Sequence, residues 1–429
     1  MTARISGIIL SVVLTVGMGS SYAEVSEPSA NTLASLVYRF LDTENSDEAE
    51  RILKGILSDK SASVEAISQI IQAERTYQNQ PVGNLPDEQI VIRGRMYPLS
   101  TFIPTTYHAS KAYSLVVCLH GYGFTGEEYL ERWRPRLGED YLLACPTYPS
   151  GAWFTRQAEA LVLETIRQAR RRYHIDPNRI FLTGMSNGGI GAWLIGMHHA
   201  PLFAGLAPMA SGLDHVLMPF LANLRNTPAY IIHGTKDQVM PVELSRSISR
   251  ELDRLGYPHV YREHEREHPM AGGHYFPKEE LPDLVAWFSH QRREPLPTRL
   301  TLVRDASHFQ PYNWLRIDST DSIAAFSEDL VDKRDEHIKR REYAKIDASI
   351  VGRNRIEVTA EHVQRYSLFL NDQLIDVSKP ITITTNGRPL FEGMVSPSVE
   401  TLLRQARLRQ DPERLFPVHL TIVIEKPAS

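Results

Sequence analysis

Apolar residues along this chain fall into four successive patterns, and each predicts a different kind of element. Residues 5–18 are mostly apolar and follow the single charge of Arg4. From Ser29 to about Asn79 the apolar positions recur at helical spacing, as in Leu33, Leu36, Val37, Phe40 and Leu41, then Ile52, Leu53, Ile56 and Leu57. Residues three and four apart share one face of a helix, so this stretch predicts a small helical segment. Proline and glycine in Asn79-Gln80-Pro81-Val82-Gly83 end it.

From about Gln89 short β-type runs alternate with helical stretches, which is the pattern of parallel βαβ units. Strands are predicted at 115–119, 141–145, 180–183, 204–209, 229–233 and 259–264, with helices at 158–172, 190–198, 242–255 and 281–291. Arg292-Arg293-Glu294-Pro295-Leu296-Pro297 reads as a linker. Beyond it the runs at 299–303, 314–317, 346–350, 356–358, 367–370, 381–385 and 420–424 are short and β-prone, with hairpin signals at Gly352-Arg353-Asn354 and Asn386-Gly387. Residues 329–343 are charged and read as a solvated helix or loop. The expected organisation is a leader over 1–23, a helical segment over 24–83, an α/β domain over 84–294 and a β-sandwich-like domain over 295–429.

The first pattern changes the cellular picture. Arg4, the apolar run and Ser21-Tyr22-Ala23 together form a positive, apolar, small-x-small series, so a secretory signal peptide cut after Ala23 is expected. The run is shorter than the roughly 20 apolar residues of a spanning helix, and no later segment is long and apolar enough to span. The mature chain is therefore expected in the periplasm or outside the cell, without stable membrane insertion. Export permits a disulfide, but Cys118 and Cys145 each lie in a strand-like apolar run and read as two buried thiols. A formal charge of −4 offers no electrostatic case for nucleic acid or anionic membrane as a partner, and the sequence leaves oligomeric state open.

The strongest chemical signal is Gly184-Met185-Ser186-Asn187-Gly188-Gly189, which follows a predicted strand and precedes a helix-prone stretch. In that context a G-x-S-x-G sequence makes a strained turn that lifts the serine hydroxyl above the sheet, and glycines let neighbouring backbone pass closely. Ser186 is the expected nucleophile, and the Asn187 amide one oxyanion donor. A serine hydroxyl needs a base and an orienting acid, which in such a fold follow in the order acid, then histidine. Asp237, in His233-Gly234-Thr235-Lys236-Asp237 after an apolar strand, suits the acid role, with Asp214 as the alternative. His274, in Gly272-Gly273-His274, suits the base; His268 precedes a proline, while His259 and His264 fall on a strand. The second oxyanion donor is expected from the Tyr122 amide in His120-Gly121-Tyr122-Gly123, with His120 packing beneath the loop. Tyr122, Tyr148, Trp153, Phe154 and Tyr275 are candidates for an acyl or aryl pocket as well as for core packing. No zinc-like spacing, phosphate-binding loop or Asp/His metal cluster stands out, so no cofactor and no metal are expected.

Leu119-His120-Gly121-Tyr122-Gly123, Gly184 to Gly189, His233 to Asp237 and Gly272-Gly273-His274, with Asp176-Pro177-Asn178-Arg179-Ile180 leading into the elbow strand, together resemble secreted α/β-hydrolases of the phospholipase/carboxylesterase, polyhydroxybutyrate depolymerase and feruloyl esterase type. The resemblance covers about Gln89 to Gln291. It implies an α/β-hydrolase fold, triad roles for Ser186, Asp237 and His274, oxyanion donors at Tyr122 and Asn187, and a small-molecule or polymer-borne ester as substrate. Some relatives of that group are peptidases, so a serine peptidase of the prolyl-oligopeptidase kind stays open at this point. So does a noncatalytic glycan- or partner-binding protein on a hydrolase scaffold.

Overall fold

The computed structural model describes residues 32–73, 77–326 and 335–425. The expected signal peptide and its cleavage site lie outside the described residues. Three amphipathic helices come first: α1 (Leu33–Asp42), α2 (Ser46–Ser58) and α3 (Val64–Gln72), each opened by a side-chain cap from Thr32, Asn45 or Ser63. An antiparallel hairpin follows, β1 (Gly83–Ile92) and β2 (Arg95–Ile103), turning at Arg93 and Gly94, which both have positive φ. Then come β3 (Tyr113–Leu119), α4 (Gly126–Leu137), β4 (Tyr141–Pro146), α5 (Arg156–Arg172), β5 (Ile175–Met185), α6 (Asn187–His198), β6 (Gly205–Met209), β7 (Ala229–Gly234), α7 (Val242–Leu255), β8 (His259–His264) and α8 (Leu281–His290).

These strands form one eight-stranded sheet in the order β1-β2-β4-β3-β5-β6-β7-β8. From β4 to β8 the neighbours run parallel, while β1 and β2 join antiparallel at one edge, so the sheet is mixed where the pattern along the chain predicted parallel units only. This is the α/β-hydrolase fold. Its central strands are buried along their whole length because helices cover both faces, which is why they read as unbroken apolar runs. Successive side chains alternate between faces: Leu115, Val117 and Leu119 meet α5, α6 and α7 on one side. Val116 and Cys118 meet Leu130 and Trp133 of α4 and Leu284 and Phe288 of α8 on the other. Cys118 and Cys145 are buried free thiols on adjacent strands, and burial pushes the Cys118 thiol up.

The remaining elements are β9 (Arg299–Arg304), β10 (Leu315–Thr320), the short α9 (Glu336–Arg340), β11 (Ala344–Val351), β12 (Arg355–Glu361), β13 (Val363–Leu370), β14 (Ile381–Thr385), β15 (Arg388–Gly393), α10 (Val399–Arg409) and β16 (Val418–Val423). They make a three-stranded sheet, β10-β13-β16, and a five-stranded sheet, β15-β14-β12-β11-β9. Ile346, Ile356 and Ile383 from one sheet share a core with Leu315, Tyr366 and Ile422 from the other, giving the sandwich-like packing expected of period-two burial.

Two features tie this β-rich region to the rest. The N-terminal helices pack on α10, where Val37, Phe40, Ile52, Leu53 and Ile67 enclose Leu402, Leu403 and Ala406, and Arg404 pairs with Glu50 at 2.6 Å. Second, Arg293, expected in an open linker, is 5% exposed and joins three segments. Its guanidinium donates to Asp411 at 2.7 Å, to Asn178 at 2.8 Å and to the Pro201 carbonyl at 3.0 Å. The Asp411 carboxyl, raised by burial, is held far below its usual range by Arg293 and Arg414. Removing Arg293 leaves the buried Asp411 with Arg414 still paired to it, so the cost falls toward the lower end of the range of about 3–5 kcal/mol for a charge left unpaired. Arg293→Ala is expected to lose about that much unfolding free energy in urea titrations; a loss under about 1 kcal/mol would contradict the joint.

Candidate active site

The site is assembled at the carboxyl ends of the parallel strands, beginning where β5 breaks into α6. Ser186 sits between them with φ 59° and ψ −124°, a conformation that costs a non-glycine residue of order 1–3 kcal/mol. The surrounding glycines are required by contact. A Cβ on Gly188 would lie 2.0 Å from the Leu119 carbonyl oxygen, and one on Gly184 would lie 2.3 Å from that of Gly188. The Ser186 amide is fixed to the Met209 carbonyl at 3.0 Å. The side chain is thereby presented at the start of α6, as the elbow sequence predicts.

Asp237 follows β7 in a tight loop. Its Oδ1 accepts from the Val239 and Met240 amides at 2.9 and 2.8 Å, and its Oδ2 accepts from His274 Nδ1 at 2.7 Å. The carboxyl side chain is 0% exposed. Burial pushes its pKa up, but the hydrogen bonds from His233, His274 and the Met240 amide outweigh burial and hold it well below the ordinary carboxylate range. His274 reaches back from the loop after β8 because Gly273 lies against the acid loop, where a Cβ would come within 2.5 Å of the Asp237 amide nitrogen. With Nδ1–H given to Asp237, the His274 Nε2 lone pair is left for a proton from elsewhere. Ser186 Oγ and His274 Nε2 have no hydrogen bond to each other or to another described residue; such bonds are often long before substrate is bound.

The other candidates are occupied elsewhere. Asp214 caps the Val216 amide and pairs with His215. His268 Nδ1 accepts from the Met270 amide, His264 Nε2 meets the Tyr275 carbonyl, and His259 meets Ser249. A residue outside the sequence-based assignment does reach the acid: His233, four positions before Asp237, has Nε2 3.2 Å from Oδ2.

The loop after β3 lies beside Ser186, since a Cβ on Gly121 would be 3.6 Å from that of Ser186. Among the described residues the Tyr122 and Asn187 amides have no hydrogen-bond partner, as an oxyanion pair requires. His120 is 0% exposed and braces this loop. Its Nε2 accepts from the Tyr148 amide at 3.0 Å, so Nδ1 carries the hydrogen given to the Gly121 carbonyl at 2.8 Å. Burial lowers its pKa and keeps it neutral. The five aromatics divide. Trp153 is fully buried and donates to the His120 carbonyl, and Tyr148 stacks on Tyr97, so both are scaffold. Tyr122 and Phe154 are exposed, and Tyr275 is half-buried.

One group among the described residues has the composition of a metal site: Glu159, His198 and His308, brought together from distant parts of the sequence. The His198 and His308 rings stack 3.9 Å apart at 25°, and parallel stacked rings cannot both aim an in-plane lone pair at one ion. Their geometry fits an ion-pair cluster joining α5, α6 and the loop after β9 instead, with His308 donating to Asp305 at 2.8 Å and lying 3.3 Å from Glu159.

No protein family model matches the chain. Over 238 residues it is 26% identical to acyl-protein thioesterase 1 of Gibberella zeae, covering 46% of this chain and 97% of that protein. A solved thermostable esterase is 26% identical with a TM-score of 0.43, over 49% of this chain and 63% of its own, so this chain spans less than two thirds of that one. Serine hydrolase F of Staphylococcus aureus, a fluorophosphonate-binding protein, is 13% identical with a TM-score of 0.41, over 49% of this chain and 100% of its own.

Two outcomes follow from the acid. Asp237→Asn keeps the shape but reverses the hydrogen bond to His274, and is expected to lower kcat by about 10⁴-fold with the fold intact by circular dichroism. Because the folded pKa of Asp237 is depressed below that of an unfolded aspartate, its stabilising contribution is complete above the unfolded value and is lost as pH falls through the folded value. Acid unfolding curves of the wild type and of Asp237→Asn should begin to converge below about pH 4 and meet only below the folded pKa; curves that stay parallel would contradict the linkage.

Proposed function

We propose that this carboxylesterase-like chain is an exported serine hydrolase of carboxylic esters. The observation that carries the reading is the 2.7 Å bond from His274 Nδ1 to the buried Asp237 carboxylate, in a chain that also holds a serine at a strained strand-to-helix turn. In the proposed cycle Ser186 Oγ attacks the ester carbonyl while His274 Nε2 takes its proton. The Tyr122 and Asn187 amides receive the tetrahedral oxyanion. His274 then protonates the leaving alkoxide, and the acyl-enzyme is opened by a water that gives its proton to the same imidazole. Asp237 stays ionised throughout and steadies the imidazolium.

Exposed apolar side chains on the loops around this site, Tyr122, Phe154, Val239 and Met270, support an apolar acyl or aryl group on the substrate. The N-terminal series of Arg4, apolar run and small-x-small ending supports export.

Turnover of a short-chain p-nitrophenyl ester should fall at least about 10³-fold in Ser186→Ala. Equal turnover in the two proteins would remove Ser186 from the mechanism, and activity confined to peptide anilides would replace the esterase reading with a peptidase. N-terminal sequencing of the protein from the cell envelope or medium should begin at Glu24; retention of Met1 in the cytoplasm would overturn export.

A further inference from the structure

We propose that His233 is a positioning residue for the triad acid, holding the Asp237 carboxylate in register with the serine elbow. This rests on the reading of Asp237 and His274 as acid and base. His233 is the penultimate residue of β7 and is 0% exposed. Its Nε2 lies 2.8 Å from the Met240 carbonyl and 3.2 Å from Asp237 Oδ2. A carbonyl only accepts, so Nε2 carries a hydrogen, and the positive end of that N–H sits beside the oxygen that receives His274. The bond is directed at Met240, with the carboxylate oxygen off its axis. One imidazole therefore fixes the backbone of the acid loop and biases the orientation of the acid itself.

The other ring nitrogen continues the strut. Nδ1 is 2.7 Å from Ser245 Oγ on α7, which lies 2.9 Å from the Ser211 carbonyl in the loop after β6; with Nε2 donating, the single Ser245 hydrogen goes to Nδ1 of a neutral ring, or to Ser211 when the ring is protonated. Ser211 in turn lies against the elbow helix, for a Cβ on Gly189 would come within 2.4 Å of its Oγ. Ser245 and Ser211 are each 1% exposed, so water does not compete for these bonds. The chain of contacts runs from the acid, through His233 and Ser245, to the segment beside the nucleophile. A buried imidazole is costly unless its nitrogens are paired, and here both are.

Without His233, Asp237 Oδ2 keeps only His274, and the Met240 carbonyl loses its donor. The carboxylate then depends on the Val239 and Met240 amides of a loop that has lost its anchor to β7, and the imidazole it orients drifts with that loop; misplacement of about 1 Å can cost on the order of 10²-fold in rate. The titratable and charged groups facing His233 are Asp237 and His274 on the active-site loops and Glu263 and His264 on β8. Ser245 is its contact on α7.

The test compares wild type with His233→Leu, His233→Gln, Ser245→Ala and Ser186→Ala, with kcat referred to sites titrated by a fluorophosphonate in the proteins that keep Ser186 and to total protein in Ser186→Ala. His233→Leu should lower kcat about 10- to 100-fold with KM within about twofold. The acid limb of its kcat/KM profile should move to higher pH, because a carboxylate relieved of the His233 N–H holds the protonated His274 more strongly. His233→Gln, which restores an N–H in about the same place, should recover most of the rate and return the limb. Ser245→Ala, which leaves His233 in place, should show a smaller loss of the same sign and keeps the test open if His233→Leu folds poorly. If Ser186→Ala is inactive while the His233 variants match wild type per titrated site with an unmoved limb, the positioning role is overturned and the triad stands. If Ser186→Ala retains turnover, both fall.

Discussion

A serine held at positive φ is a conformation the chain would leave if it were free to, and the site depends on its having no such freedom. The strain at Ser186 is confined by parallel strands on both sides, by the Met209 carbonyl that takes its amide, and by glycine contacts that admit no Cβ. A sheet buried on both faces makes that confinement possible, since neither β5 nor its neighbours can shift without opening a packed core. The same closeness that strains the elbow brings the Gly121 loop within contact of Ser186, so the proposed nucleophile and oxyanion donors are set by one packing arrangement.

Around this fixed point the proposed acid and base, Asp237 and His274, sit on loops, where they are positioned by hydrogen bonds rather than by strand geometry. Asp237 receives two amides on one oxygen and a histidine on the other, which keeps a buried carboxylate ionised. The Gly273 backbone presses on the acid loop and carries His274 with it. The β-rich region and the N-terminal helices stand apart from this chemistry. They are joined to the hydrolase sheet through Arg293 and Asp411, and through Asn223, which bonds the Val303 backbone at 2.6 Å as a strand partner would.

Much of this was legible because its signals are local. The elbow, the acid loop and the Gly-Gly-His turn each lie within a few residues, follow strands of unbroken apolar sequence, and need no distant partner to be read. The hairpin β1–β2 was not: Gly83, Asn84 and Leu85 open an edge strand with no buried position among them, and the antiparallel edge was missed with it. Helix α4 hid behind arginines and an internal proline, although Thr125 and Glu128 form a capping box ahead of it. Helix α10 shows an apolar face whose cover comes from α1, α2 and α3 at the other end of the chain, and no window on the sequence joins them. Arg293 reads as a linker charge because Asn178 and Asp411, its partners, are over a hundred positions away on either side. His233 was visible only as a letter in a motif; its contact with Asp237 needs the loop to close over it.

The most direct measurement is to trap the nucleophile: treat the folded protein with a fluorophosphonate, digest it, and map the adduct by mass spectrometry. The account requires about one adduct per chain, on the peptide containing Ser186, abolished by prior unfolding and absent from Asp237→Asn at short times. An adduct on another residue, or none on a folded protein, would contradict the claim that this elbow and its buried acid form a working catalytic site.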